Sequence, residues 1–232
     1  MAFVNTPFLT DLDPHIKIKG SRDPLGAQAI WTDFGRKVIG NLTAVTTSLR
    51  DFTTLLLGYH FAERVSKKKG EETVVDTFLK WEQVAAYSRA CHNNDYALRG
   101  SNRVRTTISA STKVPLGVEP TAQILSKQKV YGLWGLYRWP SINSGLVDET
   151  GMQLTPDARD FVLTQYMPVF KVAGFPDADK VVEILSKDRY VLELEGRDQQ
   201  LAKCVASILQ LKRVTAAERT FYRKHLLYGG PE

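Results

Sequence analysis

The chain has 232 residues, 43% apolar and 24% charged, and its 31 basic against 25 acidic side chains leave a formal net charge of +6. Such a composition builds a hydrophobic core in one large domain or two small ones, and the excess of positive charge points to an anionic partner. It is far below the excess of a DNA-coating architectural protein, two cysteines 113 positions apart (Cys91, Cys204) exclude a disulfide framework or metal knuckle, and no stretch approaches the roughly 18 apolar residues of a membrane span.

The start, Met1 to Pro7, lacks the basic residues and continuous apolar run of a secretory signal, and the expected location is the cytoplasm. Residues 1–22 are rich in turn formers, with an alternating His15-Ile16-Lys17-Ile18-Lys19 that fits a short edge strand. From Asp23 and Pro24 the pattern becomes helical, with Ile30, Trp31, Phe34 and Val38 on one face before Gly40. A longer helix then follows Asn41, its stripe formed by Leu42, Val45, Leu49, Phe52, Leu56 and Tyr59. Its other face, which includes Thr46, Arg50 and Thr53, is packed or solvated. Lys67, Lys68, Lys69 and Gly70 read as a loop, and Glu71 to Ala90 as a third helix with Val74, Phe78, Trp81 and Tyr87 inside. These helices, joined by short links, form an N-terminal bundle over 1–95.

Residues 96–118 are less regular and read as a basic linker with a strand at Val104 to Ser109. A helix from Pro120 or Thr121 to Arg138, ended by Pro140, comes next. Gly145-Leu146-Val147 and Met152-Gln153-Leu154 flank an Asp148-Glu149-Thr150-Gly151 turn, which predicts a hairpin. Thr155 caps a further helix, with Pro156 in its first turn and Phe161, Val162 and Tyr166 on its apolar face. A short helix runs from Asp177 to Lys187, a brief strand from Tyr190 to Glu195, and a helix from Asp198. The Thr215/Glu218 spacing matches a capping box that opens a last helix.

The helix, hairpin and helix of residues 119–161 resemble the wing region of winged helix-turn-helix domains. The resemblance implies a winged-helix-like unit over 119–174, with a C-terminal helical segment over 175–232, and many such domains bind nucleic acid. The expected fold is thus mainly α, with an N-terminal helical bundle, a winged-helix-like unit whose hairpin supplies the β structure, and C-terminal helices.

Two groups of side chains fit a nucleic-acid surface. Arg99, Arg103, Arg105 and Lys113 offer planar forks and an ammonium to phosphates, and Lys127, Lys129, Tyr131 and Arg138 combine charge with an aromatic ring able to stack on a base. Trp134, Tyr137 and Trp139 share the second segment, where core packing competes with exposure. Reactive groups are scarce. The histidines His15, His60, His92 and His225 lie in no metal-binding spacing, and neither a nucleophile elbow nor a glycine-rich phosphate loop occurs. His92 beside Cys91 and Asp95 could be drawn as a reactive cluster, and Asp177 with Glu193 and Glu195 as the carboxylates of a metal-dependent nuclease, but the latter lacks a following lysine. No catalytic, metal or cofactor residue is assigned.

The expected function is therefore non-catalytic nucleic-acid binding, most simply to duplex DNA, by a regulator or by the DNA-engaging subunit of a larger complex such as a bacterial defence complex. The alternative is a protein-interaction subunit that uses the same module to bind another protein.

Overall fold

Ser48, in an extended conformation (φ −130°, ψ 127°), caps a helix by accepting a hydrogen bond from the Arg50 N–H, and helix α2 (Leu49–Lys69) runs from it through the centre of the protein. The computed structural model describes residues 26–38, 42–43 and 45–230, so the expected edge strand at 15–19 and the Asp23/Pro24 helix start lie outside the described residues. Helix α1 (Gln28–Val38) belongs to a unit of residues 1–38, and the remainder, 39–232, groups as a second, compact unit.

Helix α2 starts seven residues later than its apolar stripe predicts and is buried on nearly every side from Arg50 to Ala62. The hydroxyl face is packed rather than solvated, with Thr53 and Thr54 fully buried. Their hydroxyls donate to the carbonyls of Leu49 and Arg50 one turn back, which removes the penalty of burying them. The three lysines expected in a loop form the last turn of α2, where they oppose the helix dipole. Gly70 (φ 108°) and a 3₁₀ turn at Glu71–Thr73 then reverse the chain into α3 (Val74–Asn93).

The two helices approach closely at Gly58. A Cβ there would lie 2.7 Å from the Phe78 ring and 2.9 Å from Trp81, both rings fully buried. Around this contact Trp134 stacks on Tyr59 at 5.4 Å and meets Phe78 edge-on at 5.2 Å, while the Trp81 indole N–H donates to the Thr54 carbonyl. The core sits here.

Helix α3 ends at Asn94, which takes the left-handed conformation (φ 50°). The segment expected to be irregular folds as α4 (Ser101–Ala110) and β1 (Lys113–Leu116). The strand expected at Val104 to Ser109 is thus helix: Val104 and Ile108 are β-branched, but they stand four apart and turn the same face inward. Strand β1 pairs antiparallel with β2 (Tyr190–Glu193), Lys113 opposite Glu193 and Leu116 opposite Tyr190. This long-range pair is the sheet; the expected hairpin contributes a single bridge, Val147 with Leu154. Its turn is closed by the Asp148 carboxylate, which accepts from the Thr150 hydroxyl and from the N–H groups of Met152 and Gln153.

The single helix expected from Pro120 to Arg138 is instead a turn followed by α5 (Gln128–Tyr131) and α6 (Leu133–Asn143). Gly132 is extended (ψ −169°) and breaks the run, and Pro140 lies inside α6, where it forfeits one hydrogen bond without ending the helix. The remaining helices are α7 (Pro156–Gln165), α8 (Met167–Val172), α9 (Asp179–Ser186), α10 (Gln199–Ile208) and α11 (Ala216–Tyr228). Thr155 caps α7 as its sequence predicts, and Thr215 with Glu218 forms the reciprocal capping box of α11. Among the described residues the protein is mainly helical with one small antiparallel sheet, and no helix there is long and apolar enough to cross a membrane.

Replacing Gly58 with alanine tests the helix contact. The change gains roughly 0.5–1 kcal/mol of helix propensity but drives a methyl into two immobile rings, an overpacking of about 1–3 kcal/mol. Thermal unfolding is expected at a lower temperature for Gly58→Ala, and an unchanged or raised midpoint would contradict the close approach.

Candidate nucleic-acid interface

A buried amide positions the α5–α6 segment. Gln128 is fully buried at the start of α5; its side-chain carbonyl accepts from Ile124 N–H and from the Gln83 amide, and its own amide donates to Leu79 O and Glu82 Oε2. Glu82 Oε1 accepts from Leu133 N–H at the first residue of α6, and Gln83 bonds both the N–H and the carbonyl of Gly117. Two neighbouring residues of α3 thus fix the chain on both sides of a one-turn helix. Lys127, on the residue before, takes the left-handed conformation (φ 56°) to make the entry.

With Gln128 turned inward, its neighbours face solvent. Lys127, Lys129, Val130 and Tyr131 are exposed, Tyr131 by 54%. On α6, Gly135 lies directly against the Val130 carbonyl, and Trp139, one turn further along the same face, is 66% exposed. Trp134 and Tyr137, by contrast, are core residues: Tyr137 donates to Asp51 Oδ2 at 2.8 Å, and burial followed by that carboxylate pushes its phenol pKa up. The sequence places all four aromatics in one segment, and their helical phase divides them, with Trp139 and Val130 joining the surface that holds Tyr131.

The chain on either side of these residues is strongly basic. Between Asp95 and Asp148 the chain carries seven basic residues, Arg99, Arg103, Arg105, Lys113, Lys127, Lys129 and Arg138, and one acidic residue, Glu119. That carboxylate is engaged by Arg189 at 3.1 Å. Helices α4, α5 and α6 and strand β1 all pack on α3, and Gly100 at the head of α4 touches the Ile124 carbonyl on the way into α5.

The predicted site residues are not equally available. Lys127 and Lys129 have no side-chain partner among the described residues, and Arg105 is exposed with its guanidinium 4.6 Å over the Tyr96 ring. Arg103 is exposed but donates to the Pro120 and Thr121 carbonyls at 2.8 and 3.1 Å, which ties α4 to the turn before α5. Lys113 faces Glu193 across the sheet at 3.7 Å, and Arg99 is half-buried. Arg138 is a structural clamp: it donates to the Gly151 and Thr150 carbonyls and holds the 148–151 turn against α6.

The carboxylates of the nuclease reading are not brought together. Glu193 pairs with Lys113, whereas the backbone of Asp177 is bonded by Arg64 on α2, and among the described residues no three His, Cys, Asp or Glu side chains are grouped to hold a metal. In the His92 cluster, burial raises the Cys91 thiol pKa, the His92 ring meets the Leu194 carbonyl and Asp95 is held by Arg89. Burial likewise pushes Cys204 up to about 11, and both thiols are free.

Comparison of the chain with protein-family models, curated proteins and solved structures finds no match.

The carboxyl that anchors the segment carries a pH signature. Burial raises Glu82 from 4.5 to about 7, against the opposing bonds from Leu133 N–H and Gln128. A raised folded-state pKa gives stability that is complete below 4.5 and is lost as pH rises through 7. The unfolding free energy is expected to fall by on the order of 3 kcal/mol between about pH 4.5 and pH 8 through this group, and Glu82→Gln should flatten that part of the profile. Equal pH slopes in denaturant titrations of the two proteins would show that Glu82 is not the group responsible.

Proposed function

We propose that the protein is a non-catalytic nucleic-acid-binding protein whose α4–α6 face holds the sugar-phosphate backbone, with duplex DNA as its leading ligand. The observation that carries this reading is the exposed Lys127 and Lys129, without a side-chain partner among the described residues, beside exposed Tyr131 and Trp139, in a span of 52 residues, 96–147, with a single, already paired, carboxylate. Lysines and arginines that displace counterions from phosphates supply affinity without sequence preference, and aromatic faces add contact with sugar or base. Arg105, Lys127 and Lys129 are the backbone contacts, and Arg103 and Lys113 border them. The hairpin turn is a poor groove reader, because its tip carries Asp148 and Glu149. The protein would act as a regulator or as the nucleic-acid-engaging subunit of a larger assembly.

A second reading, a protein-docking surface, is favoured by one observation: Val130 is 52% exposed next to Tyr131 and Trp139, an apolar group suited to the centre of an interface. Salt separates the two. Binding of labelled duplex and single-stranded DNA, followed by fluorescence anisotropy, is expected to weaken steeply from about 50 to about 200 mM salt. Arg105→Ala/Lys127→Ala/Lys129→Ala, which leaves the internal clamps of Arg103 and Arg138 intact, should weaken binding and reduce the slope of log affinity against log salt by about one for each phosphate no longer neutralised. No binding at low salt, or a triple variant indistinguishable from the parent, would overturn the nucleic-acid reading.

A further inference from the structure

The aromatic residues of α5 and α6 divide by helical phase, and those that face outward touch no other ring. Trp134 is covered by Tyr59 and Phe78, and Tyr137 meets Phe52 edge-on. Tyr131 and Trp139 are 54% and 66% exposed, with no ring partner among the described residues. A large ring left in water adds little to the stability of the fold, and it contributes contact area when a ligand covers it.

The two rings stand on one shelf. A Cβ on Gly135 would lie 2.0 Å from the Val130 carbonyl, so the end of α5 rests against the first turn of α6. Tyr131 follows Val130 directly, and Trp139 lies one turn, about 6 Å, beyond Gly135 on the same helix face. Gly135 is itself exposed and carries no side chain, which leaves the surface beside the rings open. Lys127 and Lys129, both exposed, precede Tyr131 and have no side-chain partner among the described residues.

This composition selects the occupant. Lysine is depleted in protein interfaces, whereas lysines beside exposed rings meet both needs of a single-stranded nucleic acid, cations for its phosphates and π faces for its bases. A paired base hides its faces within the stack, so rings of this kind gain little from the side of an intact duplex. A helix of one turn is also too short to lie along a groove. We propose that the α5–α6 shelf holds unpaired bases next to a duplex, with Tyr131 and Trp139 each stacking on a base and Lys127 and Lys129 neutralising the adjoining phosphates. A duplex with a single-stranded extension is a narrower form of the nucleic-acid reading above and rests on it.

The test uses the full chain, fluorescence anisotropy at low salt and three labelled DNAs that share one duplex sequence. The first is blunt, the second carries a tail of about six thymidines, and the third carries an abasic tail of equal length, which keeps the phosphates and removes the bases. Stacking is expected to favour the thymidine tail over the abasic tail by about tenfold or more. Tyr131→Ala/Trp139→Ala should bring the two tailed DNAs to one affinity, and Tyr131→Phe/Trp139→Phe, which keeps the rings, should retain the preference. Equal binding of the two tailed DNAs by the parent protein would overturn the unpaired-base site and leave the nucleic-acid reading standing. An undiminished preference in the double alanine variant would overturn the role of the two rings. Binding of none of the three DNAs would overturn the site and the nucleic-acid reading together.

Discussion

Two consecutive charged residues in the first turn of α2 organise the fold. Arg50 reaches toward the C-terminal part of the chain: it pairs with Glu218 in the capping box of α11 and donates to the carbonyls of Gln210 and Arg213, which lead out of α10. Asp51 turns the other way, to Arg89 of α3 and to the Tyr137 hydroxyl of α6. Thr53, Tyr166 and Tyr222 complete the Arg50 network with hydroxyl bonds. These groups are buried, and a charge in such a place is tolerable only with partners. Glu218 shows the balance: burial would raise its pKa, but the bonds from Arg50 and from Thr215 N–H outweigh it and hold the carboxyl below its usual value. For Asp51 burial wins, and its pKa is raised despite Tyr137 and Arg89. Removing either partner of such a pair strands the other, typically at about 3–5 kcal/mol, so the pairs dictate which helices may sit beside α2.

The candidate surface inherits its order from the same helices. Helix α3 contributes Trp81 to the core beside Gly58, and the next two residues, Glu82 and Gln83, grip Gln128, Leu133 and Gly117. A helix of one turn has no independent stability, because nucleation fixes several residues for each bond gained. What makes α5 a rigid platform is therefore the buried amide network underneath, with Lys127, Lys129 and Tyr131 carried outward as a consequence.

Much of the helical plan is legible in the sequence, since periodic apolar spacing and caps are local signals. Thr155 with Pro156, and Thr215 with Glu218, mark their helix starts because a side-chain oxygen answers a backbone N–H within three residues. The departures have non-local causes. Whether Val104 to Ser109 is strand or helix is decided by burial against α3, and β1 finds its partner far along the chain, with Glu193 opposite Lys113. The polar residues of α2 read as a face either packed or solvated, because polarity alone does not reveal a partner 168 residues away. At the candidate site the sequence brings the basic residues into view but not their employment: Arg138 and Arg105 look alike in one dimension, yet one closes a turn and the other faces solvent.

In the proposed nucleic-acid reading the contact falls on the α4–α6 face and not on another part of the surface. Hydrogen–deuterium exchange with and without a duplex oligonucleotide at low salt tests it on the intact chain. Slowed exchange concentrated in residues 99–139 is expected. Uniform exchange, or protection centred on other helices, would contradict it.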